Sequence, residues 1–340
     1  MINLAKLTET PTLLIDARCS LGEGPRWHRQ ERRLYWVDID RKLLLRWDAA
    51  SGAVEQRQFD APVACFAFRR DGGLVLGMKD GCALIDGWDA PVVPFGPQVL
   101  AGKPRHRMND GRTDPAGRFW VGSLNGAKDV EDATLYRLDA NGTLTAIESG
   151  MTTCNGAAFF AGLSRSQANA ADFTGLSRSQ ANAADFTGLS RSQANAAENI
   201  NWRFCHSDTP SHAVRAYDVD PASGALSNRR ILHQFERGVG PGLGRPDGGS
   251  FDAEGCYWVA MFDGWRVVRL SPKGEVLRIV ELPVQRPTMI AFGGDDGRTA
   301  FVTSATTGLD EAALAAQPGA GGVFAFRVEA PGMDENAFGG

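Results

Sequence analysis

Three hundred and forty residues make two average domains or one large all-β or α/β unit, so length alone leaves the domain count open. The 36 Lys and Arg and 40 Asp and Glu are interspersed and sum to a net charge of −4, which offers no basic footprint and excludes a nucleic-acid partner. Hydrophobic residues make up 43 %, yet no run approaches the ~18 to 20 apolar residues of a membrane span, so no membrane partner is expected.

The first twenty residues carry neither a basic leader nor an unbroken apolar stretch, since Lys6, Thr8, Glu9, Thr10 and Pro11 interrupt it; a cytoplasmic protein is expected. The six cysteines (Cys19, Cys65, Cys82, Cys154, Cys205 and Cys256) form no C-x-x-C pair and read as buried free thiols.

Short aromatic and β-branched runs then recur along the chain: LYWVDID from Leu34, GGLVLGM from Gly72, GRFWVGSL from Gly117, WRFCHSD from Trp202, GCYWVAM from Gly255 and RTAFVTSA from Arg298. Several follow an Asp-x-x-Gly turn, and most are followed by a second alternating run, as in ATLYRLDANG and WRVVRLSPKG. Between the third and fourth runs lies a perfect tandem repeat. GLSRSQANAADFT fills Gly162 to Thr174, returns from Gly175 to Thr187, and restarts at Gly188 before diverging at Glu198. One Leu and one Phe per copy cannot build a core, so residues 162–197 read as an insert of short helices broken at each Gly, or as partly disordered chain. The remaining 304 residues over six units give about 50 each, which predicts an all-β, six-bladed β-propeller forming one domain over residues 1–340, with the insert in the first loop of blade 4.

Asn109-Asp110-Gly111, Asn155-Gly156 and Asp247-Gly248 fall just before the first strand of their units on this reading, and Glu23 holds the matching place in the first. Any one Asn-Gly or Asp-Gly is first of all a turn. Their shared phase is what matters: 86 residues from Glu23 to Asn109, 46 to Asn155, then 56 to Asp247 once the insert is discounted. Blades 1, 3, 4 and 5 would therefore bring four oxygen-bearing side chains to one end of the channel. Two carboxylates and two amides suit Ca²⁺, Mg²⁺ or Mn²⁺; Zn²⁺ would lack its usual His or Cys ligands.

LGEGPRWHRQERRLYWVDI, RMNDGRTDPAGRFWVGS, CNGAAF and RPDGGSFDAEGCYWVAMFDGWRVVRL together resemble the SMP-30/gluconolactonase/regucalcin family (LRE-like), over nearly the whole chain outside the insert. The resemblance implies a propeller with one divalent metal on Glu23, Asn155 and Asp247, its identity open among Ca²⁺, Zn²⁺, Mn²⁺, Mg²⁺ and Fe²⁺. It places Asn109 beside that metal and Arg107 on substrate oxygens, and implies hydrolysis of sugar lactones to aldonic acids by a monomer or weak dimer. Asp247 would be ligand and general base together.

Other constellations are weaker. Five histidines show no metal-binding spacing, with His106 the best candidate beside the substrate; no G-x-S-x-G elbow is present; and Trp265, in a D-G-W turn, is a candidate pocket wall, whereas Trp27, Trp36, Trp120 and Trp258 read as core. The alternatives are a broader lactonase or esterase, an organophosphate hydrolase, or a non-catalytic propeller with a structural metal.

Overall fold

A computed structural model describes residues 4–162 and 202–340; the tandem repeat, and with it the expectation of short helices or disorder, lies outside the described residues. Strand-rich sequence punctuated by Gly and Asp turns folds into six four-stranded antiparallel sheets. Blade 1 is β2 (Gly22–His28), β3 (Arg33–Asp38), β4 (Leu43–Asp48) and β5 (Val54–Gln58); blade 2 is β6 (Val63–Phe68), β7 (Leu74–Met78), β8 (Cys82–Ile85) and β9 (Val93–Phe95). Blade 3 is β10 (His106–Thr113), β11 (Phe119–Asn125), β12 (Ala133–Leu138) and β13 (Leu144–Met151); blade 4 is β14 (Cys154–Ala161), β15 (Trp202–Asp208), β16 (Ala213–Val219) and β17 (Leu226–Gln234). Blade 5 is β18 (Arg245–Phe251), β19 (Tyr257–Phe262), β20 (Arg266–Leu270) and β21 (Val276–Glu281). Blade 6 joins β22 (Pro287–Gly293), β23 (Thr299–Ser304) and β24 (Val323–Arg327) to β1 (Thr12–Ile15), so strands far apart in sequence share one sheet and close the ring.

The aromatic runs picked out in the sequence are the second strands of the blades, β3, β7, β11, β15, β19 and β23. They are buried on both faces because each blade packs against its neighbours: Trp36, Trp120 and Trp258 are at most 2 % exposed, and Trp27 is buried beside Phe301. Five core clusters each bridge adjacent blades, as where Trp120 of blade 3 packs on Phe159 and Phe204 of blade 4. Burying one such ring contributes about 1.5–3 kcal/mol, so the blade interfaces hold the ring together. Asp114 and Asp252 begin equivalent turns in blades 3 and 5. Each carboxylate accepts backbone N–H bonds from its own turn and the indole N–H of Trp120 or Trp258, at 2.9 Å in both cases. All six cysteines are free and buried, as expected.

The first strands β2, β6, β10, β14, β18 and β22 line the channel. Residues 331–340 run across their ends at one mouth: Met333 N–H donates to Phe251, Asn336 Nδ2 to Thr113, and Phe338 N–H to Phe68, the last residues of β18, β10 and β6. That mouth is covered, so the opposite one is the way in. The tandem insert leaves β14 at Ala161 and returns at Trp202, which pair with each other at the covered end. Its roots lie six residues along β14 from Asn155, about 20 Å at strand rise. No helix among the described residues is long and apolar enough to cross a membrane.

Candidate functional site

Every channel-lining strand breaks register once, at the same level. The skipped positions lie between Glu23 and Arg26, Val63 and Cys65, Met108 and Gly111, Asn155 and Ala158, Pro246 and Gly249, and Pro287 and Met289. A bulge tilts the local backbone and re-aims a side chain, and here six of them form a ring inside the channel. Glu23, Asn109, Asn155 and Asp247 sit at four of these bulges, with Ala64 and Thr288 at the other two. This corrects one expectation: the Asn-Asp-Gly, Asn-Gly and Asp-Gly steps lie inside the first strands, at their bulges, and do not precede them. Crowding explains the glycines. A Cβ on Gly156 would meet the Tyr257 hydroxyl at 2.4 Å, with φ at +68° besides, and one on Gly248 would meet Met289 at 2.4 Å.

Hydrogen bonds lock the two amides. Arg107 Nη1 donates to Asn109 Oδ1 at 2.6 Å, Asn109 Nδ2 donates to Asn155 Oδ1 at 2.7 Å and to the Cys154 carbonyl at 2.9 Å, and Asn155 Nδ2 donates to Thr209 Oγ1 at 2.7 Å. One Nδ2 hydrogen and the Oδ1 of Asn155 are thereby engaged, which orients the amide, and its Oδ1 keeps a second lone pair open. The carboxylates are treated differently. Neither Glu23 nor Asp247 has an ion-pair partner among the described residues, and Asp247 is 5 % exposed. Burial and the neighbouring carboxylates push both up, Glu23 well above the usual carboxylate range and Asp247 to about 8.

A buried acid, Asp247, and a half-buried one, Glu23, both unpaired beside a fixed amide oxygen, are an unfavourable arrangement for the protein alone, and a divalent cation would relieve it. Glu23, Asp247 and Asn155 Oδ1 therefore fit an oxygen-ligated metal. No group of three His, Cys, Asp or Glu able to hold a metal occurs among the described residues; a cation at this level would have two carboxylates and an amide oxygen as its protein donors.

Below the ring lies a layer the sequence reading passed over. Asp110 accepts the N–H groups of Gly111 and of Ala157 across the blade boundary, at 2.7 and 3.0 Å, and so ties the blade 3 bulge to the blade 4 bulge. Arg26 and Arg112 follow, both buried, and Glu335 from the covering segment meets them at 3.4 and 3.3 Å. Asp110 stood next to Asn109 in the motif and could have been found there; Glu335 had no local signal.

The other two candidates stand apart from the ring. His106 is one residue out of phase with Arg107 and Asn109 on β10, and its Nε2 pairs with Asp132 at 2.9 Å. Trp265 lies at the open mouth in the β19–β20 turn, half-buried, with φ at +60°. Beside it, Asp263 gathers Arg245, Arg286 and Gln285.

A six-bladed propeller with a ring of acids and amides in its channel defines the class of protein. The SMP-30/gluconolactonase/LRE-like family model matches residues 21–162 and 193–306, and the chain belongs to that family. A Pseudomonas putida 6-deoxy-6-sulfogluconolactonase is 36 % identical over 337 residues, covering 98 % of this chain and 100 % of the other; regucalcin of Gallus gallus is 34 % identical, covering 90 % of each. The fold is also that of a calcium-binding regucalcin from Agrobacterium tumefaciens, at TM-score 0.80, 21 % identity and 98 % coverage of both chains. A Xanthomonas campestris gluconolactonase follows at TM-score 0.63 and 19 % identity, covering 95 % of this chain and 89 % of that one.

Proposed function

We propose that this lactone-hydrolysing enzyme opens sugar lactones to aldonic acids with a divalent cation held by Glu23, Asn155 and Asp247. The observation that carries the reading is the pair of unpaired carboxylates, Asp247 buried and Glu23 half-buried, at the level of the channel bulges, beside two amides locked by Arg107 and Thr209. The family assignment and the names of the relatives support it. When bound, the cation polarises the lactone carbonyl and makes a coordinated water more acidic.

The protein's own groups do the rest. Asp247 takes the proton from the attacking water as the new C–O bond forms. Arg107 holds the substrate oxygens and offsets the charge that gathers on the carbonyl oxygen, while Asn109, whose two N–H groups go to Asn155 and Cys154, accepts from a substrate hydroxyl through Oδ1. Collapse breaks the ring C–O bond, and the proton returns to the departing ring oxygen, so lactone and water become one hydroxy acid. The covered lower mouth limits solvent entry from below. The test is a pH-stat assay over pentono- and hexonolactones. Turnover above spontaneous hydrolysis is expected, and none with any member of the panel would refute the reading. The relatives' names span two substrate kinds, since one is a lactonase for a sulfonated sugar and another a gluconolactonase.

A further inference from the structure

The layer above the ring carries an unusual charge. Two residues before the bulge residue of a channel strand, the chain has arginine three times: Arg107 before Asn109, Arg245 before Asp247 and Arg286 before Thr288. In a strand, side chains two residues apart share a face, about 6.6 Å along the strand. Three blades thus place a guanidinium one step outward from the ligand ring. Arg107 is engaged with Asn109 and the Met108 carbonyl. Arg245 and Arg286 share a single acid, Asp263, so this trio keeps one positive charge, and the Arg245 Nε–H is buried without an acceptor.

Lys128 adds another. It lies in the β11–β12 turn of blade 3, at the open mouth, and its ammonium has no hydrogen bond or ion pair among the described residues. The charged groups facing it are Arg245 and Arg107, which repel it, and Asp247 and Asp263, which attract it. Lys128 is exposed at this mouth, and partial desolvation of its ammonium together with the two arginines holds it below the ordinary lysine range. The exposed Lys128 ammonium and the buried, acceptor-less Arg245 Nε–H leave this layer with positive charge available to an anion.

We infer that Lys128 and Arg245 form a subsite for an anionic group, a sulfonate, phosphate or carboxylate, on the end of the sugar lactone remote from its carbonyl. The inference rests on the lactonase reading and names its substrate class. With the carbonyl at the ring of bulges, a hexonolactone carries its terminal substituent outward by about one side-chain layer, to the level of Arg245. Neutral lactones would fill the ring and leave this layer unpaired.

The test compares kcat/KM for glucono-1,5-lactone with that for its 6-phosphate and 6-sulfonate, in the metal-loaded wild-type protein and in Lys128→Met and Lys128→Glu. A charge-assisted contact predicts a preference of about 10-fold or more for the anionic lactones. Lys128→Met should remove most of that preference and Lys128→Glu should reverse it, and added salt should erode it in the wild type. Which anionic lactone gains most separates phosphate from sulfonate. Turnover of the neutral lactone with no anionic preference, or a preference unchanged in both variants, overturns the subsite while leaving the lactonase reading intact. Should no lactone be hydrolysed, the lactonase reading fails. Calorimetry with 6-phosphogluconate against gluconate then decides the subsite: tighter binding of the phosphate that Lys128→Glu abolishes supports it, and equal binding refutes it.

Discussion

Replacing Asp247 by Asn keeps the shape of the side chain and removes its charge, and the structure makes the metal-free consequence calculable. Asp247 ionises near 3.8 in an unfolded chain and at about 8 in the fold. Between those values the folded state holds the extra proton, so this group favours the fold most in acid, and its contribution is lost as pH rises towards 8. At pH 7 the full difference amounts to about 4 kcal/mol, and sharing the cost with Glu23 reduces it to roughly 2–4 kcal/mol. Asn never incurs this cost. In EDTA-treated protein at pH 7 to 8, Asp247→Asn should therefore melt roughly 3–6 °C above wild type, with the gap closing towards pH 5. Adding Ca²⁺ or Mn²⁺ should raise the wild-type melting temperature and leave the variant nearly unmoved, because the substitution removes a ligand. Thermal melts followed by circular dichroism at three pH values read all of this. A variant no more stable than wild type without metal, or one stabilised equally by it, would refute the picture of an unpaired acid awaiting a cation.

Glu335→Gln should destabilise the protein by about 2–3 kcal/mol, since it leaves the buried Arg26 and Arg112 with Asp110 alone as counter-charge; an unchanged urea midpoint would contradict the role given to residues 331–340. Removing residues 162–197 should retain most lactone turnover, because their roots at Ala161 and Trp202 are at the covered end of β14; loss of activity in a protein that still folds would show coupling to Asn155. Native protein should react only slowly with a thiol reagent at pH 8: all six cysteines are buried, and burial raises their thiols, to about 12 for Cys19, Cys82 and Cys205. Rapid labelling of even one would contradict the packing. Tyr257→Phe removes the hydroxyl that donates to the Gly156 carbonyl at 2.7 Å, so metal affinity measured by calorimetry should weaken several-fold while the fold persists.

The blade repeat was legible because each second strand carries its own aromatic burial signal and each turn its own Asp and Gly. The candidate ligands were legible through their common phase, although placing them before the strands was an error. A bulge is a mismatch between two strands, and one strand's sequence holds only half of it. Asp110 was hidden for a related reason, since its partner, the Ala157 N–H, belongs to the next blade. Glu335 was invisible because its partners Arg26 and Arg112 are far away in the chain, and the Arg245–Asp263–Arg286 group because it joins a first strand, a turn and the link to the next blade. His106 was drawn in by being next to Arg107, and strand alternation turns adjacent residues to opposite faces.

The measurement that bears most directly on the central claim is proton release from a sugar lactone by EDTA-stripped protein, before and after resupply of Ca²⁺, Mn²⁺, Mg²⁺, Zn²⁺ or Fe²⁺, with Asp247→Ala alongside. The account predicts turnover that vanishes on stripping, returns with at least one of these ions and is lacking in the variant. Turnover indifferent to both EDTA and the loss of Asp247 would contradict it.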